Sequence, residues 1–266
     1  MQKTLRSITP LLRKMSSLHS PTVMRFSSAN TYTFHIDFDQ QSYENLKDYD
    51  LFIFKAASNS GNGPAKPVLW KRVPVTKLID VSWDIQYGIY TSLSFLGKND
   101  RIQATNYWPA QLGDQVNVTN SRDVSGEYRQ GGSSPGSFLL SNDTNDVITG
   151  GLYLESEGHS PLAPFCAFQV NGNMGVTMTP IQKAIVYFSR DPMKVGSVIK
   201  TDYSKAALID FTQVTSDRGE SRVEISIENQ TWPDDKSWLT KGTVNQALRP
   251  DFDNFKKSSE PKVRLI

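Results

Sequence analysis

The chain has 266 residues, of which 11% are aromatic, and this content argues against intrinsic disorder because disordered chains are poor in aromatic side chains. Its first 36 residues hold five basic residues and no acidic one, so removing those five from the net charge of +2 leaves −3 for the remainder. A folded body of that charge excludes nucleic acid as an expected partner. Cys166 is the single cysteine, which rules out an intrachain disulfide and predicts a reducing compartment.

Residues 1–30 form a basic leader. Its leucines and methionines share one side of a helical wheel, and its arginine and serine content with no acidic residue is typical of a transit peptide. Pro10 argues against an unbroken helix, so a disordered basic tail is the alternative, as is translation from Met15 or Met24. The leader has no apolar run long enough for a signal peptide. We therefore expect a cytoplasmic or mitochondrial protein, and we do not expect secretion.

Short strands dominate the rest of the chain. Residues 31–39 alternate aromatic or aliphatic with polar side chains, the period-two pattern of a half-buried strand. Further short apolar runs follow, separated by turn residues, at the spacing of a sandwich or barrel. The sequence therefore predicts an all-β, predominantly antiparallel fold, a β-sandwich of one large module or of two similar modules.

The predicted modules cover residues 31–145 and 146–248, and the second is either a separate β module or a continuation of the first sandwich. A faint likeness between 78–82 and 208–212 favours duplication. Residues 249–266 form a charged C-terminal tail. Two segments are specifically assigned: 125–137, rich in glycine, as a flexible loop, and 179–190 as a strand in preference to a helix.

Two polar stripes offer candidate catalytic groups. His35, Asp37 and Asp39 share one face of the first strand, and Glu155, Glu157 and His159 follow a later strand. If the stripes faced each other, they could supply a histidine and carboxylates for acid–base catalysis. This predicts an enzyme without a standard motif, of the isomerase or cyclase type, as an alternative function. The simpler interpretation is that both stripes are solvated strand faces.

Standard motifs do not support catalysis elsewhere. Residues 132–136 match G-x-S-x-G, but the residue after the serine is Pro135, which has no N–H to donate to an oxyanion hole. Cys166 lies in an apolar run typical of a buried, inert thiol. No phosphate-binding loop or zinc spacing occurs, so the sequence predicts no cofactor and no metal.

Aromatic residues in polar, loop-like surroundings provide the leading hypothesis. Tyr107, Trp108, Trp232 and Trp238 could form stacking surfaces for a small molecule, a glycan or a protein partner. The alternative is that they close the ends of the core. The leading prediction is thus a binding protein, and a membrane-active β protein is a further alternative because of the aromatics and the leader. No stretch is long and apolar enough for a membrane-spanning helix, so membrane association is the less expected outcome.

Overall fold

The structure is a computed structural model that describes residues 31–60, 66–94, 96, 101–154, 163–199 and 205–243. The predicted leader, the predicted tail and the stripe at Glu155, Glu157 and His159 lie outside the described residues. Among the described residues, no helix is long and apolar enough to cross a membrane.

The described part of the chain contains seventeen strands: β1 (Thr31–Phe38), β2 (Asp50–Ser60), β3 (Lys66–Pro67), β4 (Leu69–Pro74), β5 (Leu78–Asp84), β6 (Tyr87–Ser92), β7 (Asn106–Pro109), β8 (Gln115–Val118), β9 (Gly126–Arg129), β10 (Phe138–Asn142), β11 (Ile148–Leu154), β12 (Ala163–Pro164), β13 (Cys166–Val170), β14 (Met174–Ser189), β15 (Lys205–Asp210), β16 (Glu220–Ile227) and β17 (Leu239–Thr243). It also contains one α-helix, α1 (Gln40–Leu46), and a single 3-10 turn at Phe211–Gln213.

The strands form three sheets. The smallest has the order β16-β1-β5, with β1 parallel to β16 and antiparallel to β5. The largest follows β17-β15-β14-β10-β8-β9, with β2 and β4 added on the other side of β14. The third follows β3-β13-β11-β6-β7, with β12 beside β11. All pairings are antiparallel in the described ladders except β1 with β16 and β8 with β10. The predicted all-β, predominantly antiparallel fold class is therefore confirmed.

The 16-residue strand β14 organises the large sheet. It pairs with β2 from Thr177 to Ser189, while its other side pairs first with β10 and then with β15. A bulge interrupts the β2 pairing between Ile181 and Ala184. The strand preferred for 179–190 is therefore correct up to Ser189, and the bulge is a local break in the β2 ladder.

One main core is shared by all three sheets. Alternation along β16 directs Val223, Ile225 and Ile227 inward and leaves Arg222, Glu224 and Ser226 in water. Phe34, Leu51 and Leu152, one from each sheet, lie in the same core and are fully buried. A second apolar cluster covers the opposite face of the large sheet, and a third covers the opposite face of the β11 sheet.

Three details differ from the sequence-based expectations. The segment predicted as a loop at 125–137 contains the strand β9, because its polar residues suit an edge that pairs only with β8. The helix α1 was not predicted, since seven residues carry too little periodicity to be recognised. Asp39 does not share the face of His35. It is the N-cap of α1 and accepts from the Ser42 backbone N–H at 2.6 Å.

The sheets combine strands from both sides of the predicted boundary at 145/146. β1 pairs with β16, and β2 pairs with β14. The two similar segments, 78–82 and 208–212, occupy different places: β5 pairs with β1, whereas β15 lies between β14 and β17.

Candidate functional site

The predicted histidine stripe lies on the outer face of the three-stranded sheet. His35 is opposite Asp80 in the β1–β5 register, and its Nδ1 lies 2.6 Å from Asp80 Oδ1. Asp37 is exposed on the same face, next to Leu78 of β5. Because the side chain of Asp80 is 58% exposed, water screens this pair and it contributes little to stability.

The second predicted stripe cannot be placed opposite His35 from the described residues. Glu155, Glu157 and His159 lie outside the described residues, so whether they face His35 stays a prediction. Within the described ranges, no group of three or more histidine, cysteine, aspartate or glutamate side chains is placed to hold a metal ion.

Tyr107 and Trp108 lie on strand β7, not on a loop as predicted. This strand is the outer strand of its sheet and pairs with β6. The Tyr107 ring meets the Tyr153 ring edge to face at 5.2 Å and remains partly exposed. Trp108 is half-buried and packs against the main core. The edge position explains their polar sequence surroundings, because neighbouring residues of the strand face water.

Trp232 and Trp238 lie in the connection between β16 and β17. The Trp232 side chain is buried, and its ring stacks on Phe188 of β14 with centroids 5.4 Å apart. Trp238 is half-buried against the main core. The four aromatics are thus divided between β7 and this connection, and Trp232 has the environment of a core residue. A binding role for any of them stays a prediction.

A buried amine is the most unusual feature of the interior. Lys55 lies in the middle of β2, and its side chain is 1% exposed. Along β2 the side chains of Leu51, Ile53 and Lys55 alternate with Phe52 and Phe54, which belong to the second cluster. Lys55 therefore points into the main core, where fully buried lysines are rare unless paired.

Aromatic rings surround this amine. Lys55 Nζ lies 4.7 Å from the ring centroid of Trp83 and 5.9 Å from that of Trp70. The two indoles meet edge to face at 5.2 Å. Tyr32 stacks on Trp83, and Phe211 packs edge to face against both rings. The ring faces attract a cation, but they supply no hydrogen-bond acceptor of ordinary strength.

Unpaired polar atoms accompany the amine. Lys55 Nζ and Trp70 Nε1 are both buried donors without a hydrogen-bond partner among the described residues. Gln182, at the β14 bulge, donates to the Tyr87 hydroxyl at 3.1 Å, while its Oε1 is a buried acceptor without a partner there. A buried polar atom left unpaired costs about 1–3 kcal/mol. The interior thus contains donors that an oxygen acceptor would satisfy.

Burial changes the protonation of this site. Loss of hydration, with a smaller contribution from the neighbouring Lys71, lowers the pKa of Lys55 to about 7. Burial also lowers the pKa of Lys71. Near neutral pH, a large fraction of Lys55 is accordingly the free amine, which is nucleophilic, unlike the ammonium form of an exposed lysine.

Lys71 lies beside Trp70, on the same strand β4. Its Nζ is 4.6 Å from the ring centroid of Trp70 and donates to the Ser82 carbonyl of β5 at 3.3 Å. The side chain is half-buried. Strand β4 pairs with β2 and strand β5 pairs with β1 in the described sheets, so this side-chain contact bridges two sheet edges.

Sequence reasoning missed Lys55. The run from Asp50 to Lys55 predicted a buried strand, with the lysine at its end, but β2 continues to Ser60 and places Lys55 in the interior. The sequence did contain an indication that Lys55 points inward, because it follows Leu51 and Ile53 at the two-residue spacing of one strand face. Since both faces of β2 are buried, that phase alone did not distinguish an inward from an outward side chain.

The thiol of Cys166 matches its expected character. It is fully buried, and burial raises its pKa to about 12, so it carries almost no thiolate at neutral pH. Its Sγ accepts from the Leu152 backbone N–H at 3.4 Å. Lys55 is therefore the better interior nucleophile.

Comparison with known proteins adds no further constraint on this site: no family model, curated protein or solved structure matches the chain.

Proposed function

We propose that the protein binds a small apolar molecule bearing a carboxylate or carbonyl oxygen, held beside Lys55 and against the rings of Trp70 and Trp83. The observation that carries the proposal is the fully buried Lys55 amine, which has no hydrogen-bond partner among the described residues. Small-molecule sites are mostly apolar, with a few polar groups that fix the ligand's orientation. The aromatic surroundings and the unpaired donors supply these two elements.

The ligand oxygen would complete the hydrogen bonding of the site. It would accept from Lys55 Nζ and Trp70 Nε1, and the apolar part of the ligand would contact the rings of Trp83 and Phe211. This proposal keeps the small-molecule ligand predicted from the sequence and assigns it to an interior site. Recognition of a glycan or a protein through Tyr107, Trp108, Trp232 and Trp238 remains a separate prediction.

Thermal shift with four probes tests the binding function: benzoate, hexanoate, benzaldehyde and hexanal. A probe well above its Kd should raise the Tm by about 3 °C or more, because it binds the folded state. Lys55→Met should remove the shift, and Lys77→Met, which changes an exposed lysine, should retain it. Absence of a shift with all four probes on the unaltered chain would refute the proposal.

The pH dependence of benzoate binding provides an independent test. A carboxylate pairs with the charged form of Lys55, so binding above the pKa of about 7 requires uptake of a proton. We expect the affinity for benzoate to fall by about tenfold per pH unit above that value. Isothermal titration calorimetry at several pH values measures the change, and a constant affinity would contradict the role of Lys55.

A further inference from the structure

We propose that Lys55 is a covalent attachment site for aldehydes, which condense with its amine to form an imine. This inference rests on the proposed function and narrows the ligand class to carbonyl compounds. Its basis is geometric: a primary amine is buried in the core without a hydrogen-bond partner among the described residues, and indole rings lie within 6 Å of it.

The condensation is balanced without any further reactant. The lone pair of Lys55 Nζ attacks the aldehyde carbon, an N–C bond forms, and a proton moves from nitrogen to the former carbonyl oxygen. The C–O bond of the resulting carbinolamine breaks, the hydroxyl leaves as water with the remaining proton of the nitrogen, and the nitrogen lone pair forms the C=N bond of the imine. No atom is oxidised or reduced, and one water leaves for each aldehyde bound.

Burial favours formation of the imine and slows its hydrolysis. Desolvation keeps much of the amine unprotonated near neutral pH, so that its lone pair is available. A dry, apolar environment slows the return of water, which would hydrolyse the product. The rings of Trp70 and Trp83 would contact the apolar part of the aldehyde and keep water from the C=N bond.

The charged and titratable neighbours are consistent with this chemistry. On β4, Lys71 opposes protonation of Lys55 by charge repulsion. On β1, Tyr32 stacks on Trp83, and on β6, Tyr87 accepts from Gln182. Burial raises the pKa of both tyrosines, so neither is an anion near neutral pH that would restore the charged lysine.

Reductive trapping tests the inference on the whole chain. The protein is incubated with benzaldehyde and sodium cyanoborohydride near neutral pH, and the benzylated lysines are located by peptide mass mapping. We expect Lys55 to be modified at least tenfold faster than Lys77, which is exposed. The same reaction in guanidinium chloride should abolish this difference, because unfolding restores an ordinary pKa to Lys55.

The pH profile separates a buried amine from general reactivity. The ratio of the Lys55 rate to the Lys77 rate, which cancels the acid requirement of the reductant, should be highest below a pH of about 7. It should fall as the pH rises toward about 10, where Lys77 also becomes a free amine. Modification spread over exposed lysines with Lys55 untouched would overturn the inference. Mapping of the unaltered chain needs no variant, so the result does not depend on whether Lys55→Met folds.

The two proposals fail in different ways. If benzoate raises the Tm but benzaldehyde leaves Lys55 unmodified, the site binds ligands without imine formation, and only this inference is wrong. If neither probe acts at Lys55, the proposed function is wrong as well. If both act there, the aldehyde is the covalent ligand and the carboxylate is its non-covalent competitor, so adding benzoate should slow trapping.

Discussion

Lys55 differs from the other described lysines in how it is accommodated. Lys183 pairs with Asp210 across 3.3 Å, and Lys47 pairs with Glu44 at the surface. Lys55 Nζ has no hydrogen-bond partner within the described ranges and lies near the rings of Trp83 and Trp70, and its pKa falls to about 7 chiefly because the ammonium loses its hydration. The buried Lys55 amine lowers the free energy of unfolding when it is charged. A ligand oxygen that accepts a hydrogen bond from it could offset this loss.

The cost predicts a pH-dependent stability. Lys55 has a pKa of about 7 in the folded chain and an ordinary value of 10.5 when unfolded. Between these values the unfolded chain binds more protons, so the free energy of unfolding rises with pH by up to ~1.4 kcal/mol per pH unit. Below a pH of about 7 the full cost applies, and above about 10.5 it disappears.

Replacing Lys55 with methionine isolates this contribution. Lys55→Met should be more stable than the unaltered chain at a pH of about 6, and its advantage should shrink as the pH rises toward about 10. Urea denaturation at each pH measures both free energies of unfolding. Lys77→Met, at an exposed position, should show a much smaller change across the range. A Lys55→Met advantage independent of pH would contradict a buried amine.

At the scale of elements, a single carboxylate joins three parts of the glycine-rich region. Asp114 is buried and accepts from the backbone N–H groups of Gln111 and Gly131, at 2.7 and 3.0 Å, and from the Tyr128 hydroxyl at 2.5 Å. These bonds fasten β9 and the following turn to the start of β8. The region predicted as a flexible loop is therefore held in place by hydrogen bonds. The sequence did not predict these bonds, because Asp114 and its partners in this region are far apart along the chain.

Removing that carboxylate should loosen the region. Asp114→Ala leaves two backbone donors unpaired, so we expect a loss of about 2–4 kcal/mol in the free energy of unfolding. Tyr128→Phe removes one bond and should cost about 1 kcal/mol. Urea denaturation compares the two variants with Asp143→Ala, whose carboxylate is exposed. Equal, negligible losses in all three would show that Asp114 does not organise β9.

The elements that the sequence predicted well are those with a local pattern. Period-two alternation predicted β1, because one face of this strand is more exposed than the other. The buried position of Lys55 depends on where β2 ends, and the bulge in β14 depends on three neighbouring strands. Those features arise from tertiary pairing. The candidate site was missed for the same reason, because the burial of Lys55 follows from the pairing of β2 with its neighbours.

At the scale of the whole molecule, early and late strands are interdependent. β1 lies between β5 and β16, and β2 pairs with β14 over most of its length. Separating the chain between 145 and 146 would leave β1 without β16 and β2 without β14. Both losses expose residues of the main core, such as Phe34, Ile53 and Val223.

This interdependence predicts that the two halves do not fold alone. Residues 31–145 and 146–248, produced separately, should each lack a cooperative thermal transition, whereas 31–248 should retain one. Differential scanning calorimetry distinguishes the cases. A cooperative transition in either half would show an independent module and would contradict the shared core.

The protonation of Lys55 tests the central claim most directly. In protein labelled with ¹³C and ¹⁵N, the lysine Cε and Nζ chemical shifts follow each amine through titration, and the signal missing from Lys55→Met identifies Lys55. We predict a midpoint of about 7 for Lys55, with the exposed Lys77 near its ordinary value of ~10.4. A Lys55 midpoint indistinguishable from that of Lys77 would contradict the buried, partly neutral amine on which the binding site and the imine both depend.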